Sequence, residues 1–235
     1  PMLDLRFFRS RDFTLGNLLV FTASFAIFSL FAYAPILLQG ALSQTPLTVG
    51  IAMLSLSLGW SLGALLAGRK ADKNGHKKAT VAGTILMVIG SGLTLLFDLE
   101  TGLLQVFAAF MVVGLGMGFT SLTTLLVVQR SVSPADLGVA TSFHQFSRTV
   151  GGTVGVGLCG GLVTERLINE LSLAGRTLPE NLIQQLRQST ASLFQEAFQQ
   201  LIPDSMVILL QSAVFKSVYL AFIIVFLVTV LNTLL

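Results

Sequence analysis

The chain has 235 residues, of which 53% are hydrophobic and 11% are charged. A soluble domain carries about 25% charged residues and could not bury this much apolar surface, so the composition excludes an ordinary water-soluble fold. The net charge of +3 comes from basic residues in short segments between apolar runs, which argues against a nucleic-acid partner. A single cysteine, Cys159, excludes an internal disulfide, and the 2 histidines are too few for a His-based metal site.

Six apolar stretches are long enough to cross a bilayer, which takes about 20 residues. These stretches are continuous rather than alternating, so the sequence predicts an all-α membrane protein with a six-transmembrane-helix bundle. Residues 1–12 form a linker before the first span, and a long loop precedes the last. The predicted spans are 13–38, 47–67, 79–97, 103–128, 137–163 and 206–235.

Lys and Arg residues are concentrated in alternate connections between the predicted spans. The two short loops of the opposite side, 39–46 and 98–102, contain neither residue type. Because Lys and Arg are enriched in cytoplasmic loops, we expect both termini to be cytoplasmic and the protein to lie in the plasma (bacterial inner) membrane. The basic residues on the predicted cytoplasmic side are Arg6, Arg9, Arg11, Arg69, Lys70, Lys73, Lys77, Lys78 and Arg130.

The connection 164–205 is predicted to lie outside the cytoplasm and to contain an amphipathic helix between Pro179 and Pro203. This helix would either lie on the bilayer surface or cap the bundle, or it would act as a lid that contacts substrate. Its apolar residues at helical spacing are Leu182, Ile183, Leu186, Leu193, Phe194, Ala197, Phe198 and Leu201.

The loop between the second and third predicted spans has an ordered arrangement of glycine and charge. Gly68 ends span two, Asp72 follows four residues later, and Gly75 precedes the basic residues that open span three. Asp72 could accept backbone N–H groups at the start of the next helix, and Gly75 could adopt the positive φ of a tight turn.

This arrangement resembles the loop signature of the major facilitator superfamily, Gly-x-x-x-Asp-(Arg/Lys)-x-Gly-(Arg/Lys)-(Arg/Lys). The resemblance implies that the chain is one half of a major facilitator fold and that the loop is a conformational latch. In that family the Asp would bind a helix end or a basic residue in one state and release it in the other. The matching residues are Gly68, Asp72, Lys73, Gly75, His76 and Lys77, with His76 where Lys or Arg is usual.

Further segments are similar to the C-terminal half of fourteen-span drug:proton antiporters, namely 1–11, 133–140, 148–155 and 215–219. This resemblance implies secondary active, proton-coupled efflux of lipophilic or cationic drugs by alternating access. It also implies an N-terminal transporter half from the same parent chain as partner, which would hold the coupling acids. No cofactor is expected besides the proton gradient, and no metal.

A polar cluster lies deep in the fifth predicted span, where ionisable residues are costly. Arg148 is near mid-bilayer, His144 lies one turn earlier on the same face, and Gln145 is adjacent. The cluster would face a substrate path or a domain interface, or Arg148 would be structural and bond to carbonyl groups of a neighbouring helix. No Asp or Glu lies deep in a span, so His144 is the remaining titratable candidate near neutral pH.

Small residues on several spans predict close helix packing, at Gly59, Gly63, Gly114, Gly118, Gly151, Gly152 and Gly155. Hydroxyl residues of span four would line a polar path or bond to their own helix. These are Thr120, Ser121, Thr123 and Thr124. Phe21, Phe25 and Phe28 share one face of span one, which would contact lipid or form an apolar drug-binding wall.

Other classes of membrane protein remain as alternatives. No constellation of His, Asp and Glu at a membrane face could perform chemistry, so we expect no enzyme activity. A channel subunit would need a polar pore ring repeated by oligomerisation. A truncated transporter fragment without activity of its own is the third alternative.

Overall fold

The computed structural model describes residues 5–69, 76–173 and 207–235, and in these ranges the chain is helical and contains no strand. A π-helical turn, Leu37–Ala41, continues the first helix beyond Pro35. Two short 3-10 helices, Leu5–Arg9 and Pro134–Asp136, precede the first and fifth helices. The long helices are α1 (Arg11–Ile36), α2 (Pro46–Arg69), α3 (His76–Thr94), α4 (Leu103–Arg130), α5 (Leu137–Leu173) and α6 (Val207–Leu234).

By length and composition, 4 of these helices can cross a membrane. The prediction of six spans is therefore met in part. The sequence of α3 opens with Lys77 and Lys78, and that of α5 carries Arg148 among Ser, Thr and Gln, so both helices are less apolar than the rest. The four qualifying segments are Arg11–Ala41, Pro46–Arg69, Leu103–Arg130 and Leu210–Leu234.

The main packing contacts run between the first three helices and the last three. In the centre of the bundle, α1 and α4 contact each other. α2 and α3 pack on α4, α5 and α6 pack on α1, and α6 also contacts α3 and α5. We call the end where α1, α3 and α5 begin, and where α2, α4 and α6 end, the basic end, because Arg11, Lys77 and Arg130 lie there.

Glycines on both helices allow α2 and α4 to make backbone contact. A β-carbon at Gly63 would overlap the carbonyl oxygen of Leu115, and one at Gly118 would overlap the carbonyl oxygen of Trp60. Gly59 and Gly114 are equally close to the opposite backbone. The two helices can approach this closely at these four positions because glycine has no β-carbon.

The contact between α1 and α5 depends on glycines of α5. Gly151 and Gly155 lie against the carbonyl oxygens of Phe21 and Phe25, four residues apart on α1. A β-carbon at Gly152 would come within 2.5 Å of the ring of Phe28. Phe25 is buried, so the expectation that this phenylalanine face contacts lipid is wrong for that residue, and Phe28 is partly buried against the core.

α5 continues ten residues beyond the end of the predicted span, to Leu173. Leu167, Ile168 and Leu171 are buried at helical spacing and extend the packed face past the apolar run. A prediction from hydropathy ends the span at the first charged residues, whereas the helix and its buried face continue to Leu173. The first part of the predicted loop is therefore helix, whereas its predicted amphipathic helix lies outside the described residues.

Glu170 of α5 forms two ion pairs at the end of the bundle opposite the basic end, one with Arg166 of the same helix and one with Lys216 of α6. Its carboxylate accepts from Arg166 at 2.7 Å and from Lys216 at 3.1 Å. Both cations are about half exposed, with 52% and 55% of their side chains accessible. At the same end, Nε2 of Gln211 donates a hydrogen bond to the hydroxyl oxygen of Ser43 at 2.7 Å.

Candidate functional site

Arg148 of α5 reaches across to α2 and lies over the ring of Trp60. The guanidinium carbon is 5.9 Å from the ring centroid, a cation–π geometry. The ring of Trp60 also meets Phe28 of α1 edge to face, with centroids 6.4 Å apart. Within the described part of the chain, no carboxylate lies within ion-pair distance of Arg148. The cation is therefore held between helices by an aromatic face rather than by a counter-ion.

His144 lies one turn before Arg148 and faces α4. Its Nε2 is 3.1 Å from the hydroxyl oxygen of Thr124, and the residue is only 1% exposed. Within the described ranges, its Nδ1 has no hydrogen-bond partner. Gln145, the third member of the predicted cluster, is exposed on another side of α5. The structure thus brings His144 and Arg148 to the inner side of α5 and separates them from Gln145.

Thr123 and Thr124 of α4 bond to their own helix and to neighbouring helices. Thr123 donates to the carbonyl oxygen of Phe119 at 2.7 Å and accepts from Thr80 of α3 at 2.9 Å. Thr124 donates to the carbonyl oxygen of Thr120 at 2.7 Å and contacts His144. The prediction that these hydroxyl groups bond to their own helix is confirmed for these two residues, and the same groups link α4 to α3 and α5.

The predicted latch is described in part. Asp72, Lys73 and Gly75 lie outside the described residues. Gly68 lies in the last turn of α2, where a β-carbon would make only an ordinary contact with Leu122, at 3.5 Å. The remaining two residues, His76 and Lys77, begin α3 and line a cavity at the basic end.

This cavity, which we call the basic cavity, has a volume of about 550 Å³ and lies between α1, α3, α4 and α6. Its charged lining residues are Asp12, Lys77 and Arg130. His76 is 8% exposed, and neither ring nitrogen has a hydrogen-bond partner in the part of the chain that the structure describes. Burial, followed by the positive charge of Arg130, lowers the pKa of His76, so the ring is neutral near pH 7 and carries one N–H donor.

Asn232 of α6 contributes a second buried polar group to the basic cavity. Its Nδ2 donates to the carbonyl oxygen of Leu19 at 2.8 Å and to the hydroxyl oxygen of Thr22 at 2.5 Å. Its Oδ1 is buried without a partner. Sequence reasoning missed Asn232 and Trp60. An amide in the otherwise apolar last span and the single Trp of the chain were the available signals.

A metal centre finds no support in the described ranges, where no group of three or more His, Cys, Asp or Glu residues could hold an ion. Cys159 is buried and free. The basic cavity offers two basic side chains, Lys77 and Arg130, and α5 offers an aromatic-bound guanidinium at Arg148. Such groups can bind or guide a ligand.

Together, the long apolar helices and their glycine-mediated packing define a multi-pass helical membrane protein. The family model of the Major Facilitator Superfamily matches residues 1–165. The chain belongs to the major facilitator superfamily, a family of transporters.

Several curated proteins are similar to this chain. The multidrug transporter protein MdtP of Bacillus subtilis is 31% identical over 172 residues, which are 73% of this chain and 32% of that protein. The multidrug resistance protein B homolog of Mycobacterium tuberculosis is 26% identical over 167 residues, 70% of this chain and 31% of that protein. The probable efflux pump gsfJ of Penicillium aethiopicum is 28% identical over 180 residues, 76% and 32% respectively. The chain spans about a third of the length of these curated relatives.

Proposed function

We propose that this chain is the C-terminal half of a fourteen-span drug:proton antiporter, which exports lipophilic or cationic drugs by alternating access. Support comes from the family match and from relatives that are named as multidrug transporters and efflux pumps. The observation that carries the proposal is the Arg148–Trp60 pair. It joins α2 and α5, and no carboxylate among the described residues pairs with this cation; a charge within a membrane bundle is costly and is therefore a functional candidate.

The second half of the transporter is the proposed partner of the exposed faces of α2 and α5. α2 packs chiefly on α4, and its other side carries exposed leucines. α5 likewise exposes Phe146 and Leu158. A second bundle that covers these faces would enclose Arg148 and Trp60 in a midplane site, and rocking of the two bundles would expose that site to each side in turn.

In this proposal the proton-coupling carboxylates belong to the partner half, and His144 and Arg148 shape the electrostatics of the shared site. The latch loop would stabilise one of the two states through Asp72. Both termini would be cytoplasmic and the membrane would be the plasma, or bacterial inner, membrane. The basic residues at one end of the bundle support this orientation.

Dye efflux from everted membrane vesicles tests the proposed function. Vesicles with the complete polypeptide should extrude a lipophilic cationic dye when a proton gradient is imposed and should stop when a protonophore collapses it. The chain 1–235 expressed alone should insert without transport. Dye flux that persists without a proton gradient would instead indicate a channel. The absence of dye flux from vesicles with the complete polypeptide would indicate an inactive protein.

A further inference from the structure

The basic cavity has a charged mouth and a largely apolar lining farther in. Asp12, His76 and Arg130 lie in the terminal turns of their helices, at the basic end. Farther into the bundle, Leu15 and Leu19 on α1 and Val81 on α3 line the cavity together with Thr84 and Asn232. At about 1.5 Å per helical residue, the cavity extends roughly 10 Å from Asp12 to Leu19. A ligand that fits both parts has a polar head and an apolar tail.

The charges at the mouth favour an anionic head. Lys77 and Arg130 contribute two positive charges and Asp12 one negative charge, so the ionisable lining residues leave an excess of one positive charge. α3 begins at His76, and the first N–H groups of a helix and its dipole favour an anion at this end. A phosphodiester, with one negative charge and several acceptor oxygens, matches this excess.

Buried polar groups inside the cavity point to a ligand independently of charge. His76 is more than nine-tenths buried, and among the described residues neither of its ring nitrogens has a hydrogen-bond partner. Buried polar groups are rarely left unpaired, because each unpaired group costs about 1–3 kcal/mol. The neutral ring of His76 supplies one N–H donor that a phosphate oxygen could accept.

We propose that the basic cavity binds an anionic membrane phospholipid, whose phosphate is held by Lys77, Arg130 and His76 and whose acyl chain lies along Leu15, Leu19 and Val81. Basic pockets between membrane helices are known to bind anionic lipid head groups. The bound lipid would tie α3 to α1, α4 and α6 at the end of the bundle that carries the latch loop. This site lies apart from Arg148 and does not depend on the proposed transport activity.

Native mass spectrometry of the complete polypeptide in detergent tests this site, with phosphatidylglycerol as the probe. The Lys77→Gln/Arg130→Gln variant should bind it about thirty-fold more weakly, since each basic residue contributes about fivefold to anionic-lipid binding. Lys78→Gln is the matched control, because Lys78 is exposed on the next position of α3 and does not line the cavity. It should bind within about twofold of the unmodified protein.

Two further measurements distinguish binding of a lipid from binding of free phosphate. Phosphatidylcholine with the same acyl chains should bind much more weakly, and millimolar inorganic phosphate should not displace phosphatidylglycerol. Displacement by inorganic phosphate would overturn the lipid assignment. Equal binding of both lipids, or an equal loss in Lys78→Gln and in the double variant, would overturn the site itself.

A steric variant keeps the test independent of charge. Val81→Trp places a large ring on the apolar wall, and Ile85→Trp places the same ring one turn farther along α3, outside the cavity. Only Val81→Trp should weaken phosphatidylglycerol binding. Unchanged binding in Val81→Trp, with circular dichroism showing a folded protein, would contradict an acyl chain on this wall.

Discussion

Two helix–helix interfaces of the bundle achieve close packing in different ways. Between α2 and α4, glycines on both helices bring backbone against backbone, and the atoms nearest to each of these glycines belong to the opposite main chain. Between α1 and α5, the glycines lie on α5, and α1 contributes Phe28 next to backbone contacts. At its glycines, the first interface is therefore a main-chain contact. The second contains a movable ring, and that ring also touches Trp60, the partner of Arg148.

We expect the largest loss of stability at the contact between the backbones of α2 and α4. Gly118→Val should destabilise the protein by about 3 kcal/mol or more, because its β-carbon would overlap the carbonyl oxygen of Trp60 and lie 2.5 Å from the nitrogen of Ala64. Gly50→Val on α2 is the matched control, since no atom lies within 4 Å of a β-carbon there. Thermal unfolding in detergent, followed by circular dichroism, compares the two. Similar midpoints would refute the backbone-contact interpretation.

Two adjacent glycines on α5 separate backbone contact from side-chain contact. Gly151→Ala and Gly152→Ala should each cost about 1–3 kcal/mol. Only Gly152→Ala should be rescued by Phe28→Leu, because its β-carbon would meet the Phe28 ring, whereas that of Gly151 would meet the Phe21 backbone. Unfolding midpoints of single and double variants measure the rescue. Equal rescue by Phe21→Leu at Gly151 would contradict this distinction.

The coupling free energy between Arg148 and Trp60 should be smaller than the cost of the glycine substitutions. A double-mutant cycle with Arg148→Met and Trp60→Leu should give a coupling of about 0.5–2 kcal/mol, the range of a cation–π contact. Arg166 provides the control cycle, because it lies on the same helix and pairs with Glu170. The coupling between Arg166 and Trp60 should be near zero. A coupling free energy of zero in both cycles would show that the contact between Arg148 and Trp60 does not stabilise the protein.

The smallest effect is expected at the outer ion pairs. Glu170→Gln should cost about 1 kcal/mol or less, because both cations are half exposed and water screens them. The cost should fall further at high salt. Unfolding midpoints at low and high salt measure it. A loss as large as that of Gly118→Val would mean that charge, rather than backbone packing, controls the stability of the bundle.

Periodicity and small-residue spacing predicted the helices and the glycine contacts, because both follow from local sequence. Which neighbour each residue meets could not be predicted in the same way. The sequence placed Gln145 beside His144 and Arg148, yet neighbouring positions on a helix point about 100° apart, and Gln145 is exposed. Trp60 and Asn232 acquire their roles only through contacts with helices far away in sequence, at Arg148 and at Leu19.

Proton-driven dye efflux by the Arg148→Lys variant of the complete polypeptide tests the central claim most directly. Lysine keeps the charge but loses the planar guanidinium that lies over Trp60, so efflux should be abolished while the amount of protein in the membrane stays normal. Arg166→Lys, the same change at the exposed far end of α5, should transport normally. Full efflux by Arg148→Lys would contradict a role for this arginine in transport.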